Sequence, residues 1–281
     1  MRRDFRIVRA CAKEAMRDFG WHEYAPFGWI LGAQLLFLLL SMNLGSGWGM
    51  ATAGSVARLL GAEGQLQYPQ FFIYLPSLAS IVEAFLYAIP GSVLIPLALI
   101  RILAPMDHAL AEGYGVVLRL KQAFLPTLVA SVVSAALQIG WQWVVSMGLA
   151  PILRSALTGF QGAAAIWLVS VLGAFVIAAL FLYVPIAAIR PGAKFREAMI
   201  GGVNEGVRLI GFTLLFILAF SWPALPFLML VQLNAAFICE KLRPEMIAVA
   251  LALYAVLISG ASYLIYASAA RLHWAELAEE S

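Results

Sequence analysis

The chain has 281 residues, of which 63% are hydrophobic and only 12% charged, with a mean hydropathy of +0.91. A soluble globule of that composition could not cover itself with polar surface, so the chain reads as an all-α polytopic membrane protein. The net charge of +3 is spread between apolar runs rather than gathered on one patch, which argues against nucleic acid as a partner.

In chain order, the first 19 residues read as an amphipathic helix. Arg2, Arg6, Arg9, Lys13 and Arg17 share one face, and Ile7, Val8, Cys11, Ala12, Ala15, Met16 and Phe19 share the other. Such a segment is expected to lie as an elbow on the anionic cytoplasmic leaflet, with its apolar side down and its basic residues toward the headgroups. The apolar run 26–44 follows a charged leader that is long for a secretory signal, so it reads as an uncleaved first span.

A span at 81–103 comes next, and it holds Glu83 in a stretch with no other charge from Gln65 to Ile100. Counting ~20 residues back from Arg101 puts Glu83 at the outer rim, with "YPQFFIYLPSLAS" lying along the outer surface. The alternative puts the span at 71–90, with Glu83 at mid-depth and the chain re-entrant behind a helix break at Pro90-Gly91.

A second elbow is expected in "HALAEGYGVVLRLK", before a span at 123–146 that carries Gln138 and Gln142 four residues apart on one face. Glutamines so placed bond neighbouring helices or line a polar path. A fourth span is expected at 162–189, followed by a third elbow with Phe195, Ala198, Met199, Gly202 and Val203 on one side. Asn204 and Glu205 lie where that elbow turns into a fifth span at 209–233, within which Pro223 and Pro226 should disturb the helix. The last span is expected at 247–269.

With the N-terminus in the cytoplasm, six spans leave only Arg58, Arg154, Lys241 and Arg243 of the Lys and Arg residues outside, and both termini inside. The pattern of elbow, span, outer connection and span suggests a threefold repeat over 1–104, 105–190 and 191–281 within a single membrane domain, and "KEAM" at 13–16 and "REAM" at 196–199 agree with it.

On that layout and those tetrapeptides the chain resembles the six-helix membrane domain found beside bacterial glycerophosphodiester phosphodiesterases, and related six-span membrane proteins. The resemblance implies an architecture and an association with membranes or lipids, and it implies no catalytic residue; the expected location is a bacterial inner membrane.

Catalytic signals are sparse. His22, His108 and His273 are scattered, and there is no HExxH, GxSxG, CxxC or phosphate-cradling glycine loop, so no enzyme, metal or cofactor is expected. The expected role is a non-enzymatic subunit or scaffold of a membrane complex, bound to a protein partner or to a second copy. The alternative is a permease or lipid-handling protein whose polar path is bounded by Glu83, Gln138, Gln142, Asn204 and Glu205 near the broken fifth span.

Overall fold

The computed structural model describes residues 2–32, 70–105, 113–157, 159–229 and 244–280, and every regular element among them is helical. The N-terminal helix α1 (Arg2–Arg17) is followed by the short α2 (Trp21–Tyr24) and a tight turn over Ala25–Phe27. The expected first span at 26–44 lies outside the described residues beyond position 32.

Helix α3 (Gln70–Leu103) has 34 residues, about 51 Å at 1.5 Å per residue, against about 30 Å of hydrocarbon. It corrects two expectations. Pro90 does not break it, so the re-entrant alternative fails, and residues 70–80 continue the same helix instead of turning along the surface. The lost donors are spread out: Pro90 and Pro96 are more than a turn apart, and Ser92 Oγ donates to Ile89 O at 2.7 Å beside the first of them. Gly91 leaves room there for the Trp29 ring, which would lie 3.3 Å from an added Cβ.

Helix α4 (Gly113–Val144) passes through a π-helical turn (Val145–Leu149) into α5 (Ala150–Ala156). Pro151 near the start of α5 has no N–H for the carbonyl four residues back, and the widened turn accommodates that loss. Residues 113–121 of the expected middle elbow are the first turns of α4, and its residues 108–112 lie outside the described set. Helix α6 (Gly159–Phe181) runs through one turn residue into α7 (Tyr183–Ala188), close to the expected fourth span. A turn that places Gly192 at φ 71, a conformation suited to glycine, leads into α8 (Phe195–Arg208). Helix α8 meets α9 (Ile210–Ser221) at a bend of 77°. The last helix, α10 (Pro244–Glu280), has 37 residues.

Three helical stretches among the described residues are long and apolar enough to cross a membrane: Gly115–Ala156, Gly159–Ala188 and Ala252–Ala275. The bent pair α8–α9 would make a fourth. Only 22% and 17% of the apolar windows in the first two are buried, so most of that surface needs lipid or protein around it. The chain is a helical membrane protein. The described residues hold three or four such stretches where the sequence suggested six, and among them the first and third elbows form separate helices.

The core lies at one end of the bundle. There α1 packs on the second half of α10, α3 on α4, and α8 on α6 and α7. Val8, Cys11 and Ala15 of α1 are buried in that core, while Met16 and Phe19 stay exposed, so most of this elbow's apolar face meets protein rather than lipid. Ala198, Gly202 and Gly206 form the buried stripe of α8. An added Cβ at Gly202 would stand 2.5 Å from Val184 Cα, and one at Gly206 would stand 2.3 Å from the Leu180 carbonyl oxygen. This small-residue stripe brings two backbones together, as in close helix packing within membranes.

Candidate functional site

Two neighbouring cavities lie between the helices. The larger, about 480 Å³, is bordered by Trp29, Tyr87, Gln138, Gln142, Tyr254 and Ser262, among others. The smaller, about 240 Å³, is bordered by Thr127, Phe175, Ser221 and Ile265, among others. Ser131, Ser134, Ile258, Ser262 and Tyr266 border both.

The helical period builds this site. On α4, Thr127, Ser131, Ser134, Gln138 and Gln142 follow spacings of three and four residues and so form one stripe about four turns long. On α10, Tyr254, Ile258, Ser262 and Tyr266 recur every four residues and face the same space. Gln138 Nε2 donates to Ser134 Oγ at 3.2 Å, along the stripe rather than to another helix. The cross-helix bond comes from Trp141, whose Nε1 donates to Val169 O at 3.2 Å while its ring lies over Gly173.

The broken fifth span also reaches the site. Helix α9 stops at Ser221, which is 2% exposed and borders the smaller cavity. Pro223 offers no N–H, and the next residues tighten into a turn in which Ala224 N–H donates to Ser221 O at 2.9 Å and Leu225 N–H to Trp222 O at 3.3 Å. Pro226 is not itself a break: it falls in the helical residues 225–229 that follow, at a first-turn position where proline is tolerated.

The expected polar path is not gathered in one place. Gln138 and Gln142 border the larger cavity. Glu83 lies on α3, about 27 Å along the axis from Arg101 at 1.5 Å per residue, and its side chain is outside the described set. Asn204 is exposed on α8, and Glu205 belongs to a separate charged cluster at the core end of the bundle.

In that cluster Glu205 Oε1 accepts from Arg208 Nη2 at 2.6 Å and from His273 Nδ1 at 3.1 Å. Arg190 Nη2 donates to His273 Nε2. Arginine can only donate, so Nε2 must be the acceptor and the ring proton sits on Nδ1; the imidazole is neutral and relays between a cation and a carboxylate. Burial works to raise the Glu205 carboxyl, but the hydrogen bonds from Arg208 and His273 outweigh it and hold the group below its ordinary range. Nearby, Arg119 Nη1 donates to Ile189 O at 3.3 Å, placing a cation at the C-terminal end of α7.

A second ionic contact fastens α1 to α10. Asp18 Oδ2 accepts from Arg271 Nη2 at 3.2 Å, and Tyr263 Oη donates to Asp18 O at 3.3 Å. The hydrogen bond from Arg17 holds the Asp18 carboxyl below its usual range, against desolvation and with Arg271 adding its attraction. Of the basic elbow, Arg6, Arg9, Lys13 and Arg17 are exposed, and the Arg2 side chain lies outside the described set.

Among the described residues no group of three His, Cys, Asp or Glu could hold a metal. Sequence reasoning missed His273 and Arg190 because they come from distant segments. It also missed Thr127, Ser131 and Ser134, for which a signal existed: they continue the glutamine stripe toward the start of α4. No protein family, curated protein or solved structure matches the chain.

Proposed function

We propose that the chain takes an amphipathic small molecule into the cavity between α3, α4 and α10, as a permease or lipid-handling protein of the bacterial inner membrane. The observation that carries this reading is the polar stripe from Thr127 to Gln142, which faces Ser262 and Tyr266 across the cavities and meets the broken end of α9 at Ser221. Buried hydroxyls such as those of Thr127, Ser134 and Ser221 are expensive in a membrane interior unless they serve packing or a ligand, and a broken helix beside them offers backbone groups as well. A lipid-associated role is also what the resemblance to the phosphodiesterase-linked six-helix domains implies.

In this reading the chain has six spans, with 26–44 as the first, and both termini are cytoplasmic. The distribution of Lys and Arg supports that orientation, as does the packing of α1 on the second half of α10, which sets both ends of the chain at one end of the bundle. The basic elbow faces the anionic leaflet. No catalytic step is assigned to any residue.

A second reading, the subunit or scaffold of a membrane complex, is favoured by the largely unburied apolar surface of Gly115–Ala156 and Gly159–Ala188. Native mass spectrometry of the chain extracted in mild detergent separates the two. A retained small molecule that is lost in Gln138→Leu supports the cavity reading. A stoichiometric protein partner, with no small molecule retained by the wild type, overturns it in favour of the second.

A further inference from the structure

The chemistry of the cavity walls narrows what can enter. Among the described residues that border either cavity there is no Asp, Glu, Lys, Arg or His. A charged group carried in would lose its hydration with no opposite charge to meet it, whereas an alcohol, ester or amide would find hydroxyl and amide partners at every turn of α4.

Two residues that border the cavities each carry a buried polar atom with no hydrogen-bond partner among the described residues. Thr127 is 2% exposed. A helical Ser or Thr hydroxyl commonly donates to the carbonyl four residues back, as Thr213 does to Leu209 O at 3.0 Å and Ser259 to Ala255 O at 2.7 Å. Thr127 Oγ1 does not do so, and it has no hydrogen-bond partner among the described residues although it borders the smaller cavity. Trp29 Nε1, on the wall of the larger cavity, is likewise buried without a partner among the described residues. An indole N–H can only donate, so it calls for an acceptor oxygen. Thr127 can give or accept. Buried polar groups left in this way are uncommon in folded proteins and point to something that completes them.

Resting on the cavity reading above, we propose that the two cavities form one slot for an uncharged amphiphile with a hydroxyl, ester or amide oxygen, held by Trp29, Gln138 and Thr127 while its apolar part lies against Phe175, Ile258 and Ile265. Anionic lipids and organic ions are excluded from the slot, and the basic elbow at the core end meets them only from outside.

The test uses the full chain reconstituted in phosphatidylcholine nanodiscs with one of two photoactivatable lipids of identical acyl chains, a diazirine-tailed diacylglycerol or the matching phosphatidic acid. After irradiation, labelled peptides are mapped by mass spectrometry. The neutral probe should label peptides spanning 127–142 and 254–266 about tenfold more than the anionic one, and Gln138→Leu should reduce that labelling severalfold, as expected for loss of a buried hydrogen bond. Ser262→Ala, a smaller change, repeats the comparison if the leucine variant fails to fold. Equal labelling of these peptides by the anionic probe overturns the neutral specificity while leaving an occupied cavity. Labelling of the cavity peptides no stronger than that of a peptide carrying the outward-facing Leu168 and Leu172 of α6 by either probe overturns both this inference and the cavity reading.

Discussion

Replacing Gly206 with alanine sets two effects on one helix against each other. An alanine in a helix interior is favoured over glycine by about 1 kcal/mol. The new Cβ, however, would stand 2.3 Å from the Leu180 carbonyl oxygen and within 3.0 Å of Leu180 Cα, about an ångström closer than ordinary contact. Backbone cannot rotate away as a flexible side chain can, so α8 must move off α6, and overpacking of this kind costs about 1–3 kcal/mol. The net expectation is a loss of about 1 kcal/mol, or about 2–4 °C in the unfolding midpoint for a chain of this size. Gly201 on the same helix supplies the control: an added Cβ there meets nothing within 4 Å, so Gly201→Ala gains the propensity without the clash and should hold or raise the midpoint. Thermal unfolding in mild detergent, followed by circular dichroism, compares the two. A Gly206→Ala protein as stable as Gly201→Ala would refute the close approach of α8 to α6.

Gly173→Ala should displace Trp141, since the added Cβ would overlap the indole and break its bond to Val169 O; a changed tryptophan emission together with a lower midpoint checks this. His273→Ala should destabilise the junction of α8 and α10 by about 1–3 kcal/mol, because a partly buried carboxylate and a guanidinium lose their shared partner, and restoration by His273→Gln would separate hydrogen bonding from ring packing. Acid sensitivity follows from Glu205 and Asp18, both held below the ordinary carboxylate range. Groups of that kind contribute fully above the unfolded value of about 4 and lose their contribution as the pH falls through the lower folded value. The unfolding midpoint should therefore drop as the pH is taken below about 4, and less steeply in Glu205→Gln than in the wild type. Cysteine accessibility labelling at the two ends of the chain should find both on the cytoplasmic face, and labelling from opposite faces would reject the orientation proposed here.

Where one local signal dominates, the sequence and the folded chain agree. The uninterrupted apolar run at 162–189 is matched by α6 and α7, whereas the apolar side of the third elbow, expected to lie on the leaflet, turns Ala198 and Gly202 of α8 against protein, with Gly202 close to Val184 of α7. Prolines were legible only in part. At Pro223 the helix stops in a turn, whereas Pro226 falls in the first turn of the helical residues 225–229 that follow. Pro90 and Pro96 are spaced so that no single turn loses two, and α3 continues. The described part of the middle elbow, residues 113–121, runs without a stop signal into the following apolar stretch; Pro126 removes one backbone donor, yet α4 continues through it.

The charged cluster was invisible for a different reason. Glu205 and His273 are 68 residues apart, Arg190 and His273 are 83 apart, and no periodicity joins α8 to α10. Glu205 meets the end of α10 from the last turn of α8, just before the chain bends by 77° at Leu209, where a charged amphipathic helix gives way to an apolar one. The same division separates the charged contacts described above from the cavity walls. Ionised residues gather where α1, α8 and the end of α10 meet, and the groups bordering the space between α4 and α10 are neutral hydroxyls, phenols and amides. A carboxylate introduced on that wall, at Ser134 or Ser262, would have no cation to meet, so it should destabilise the fold far more than the same substitution at exposed Asn204.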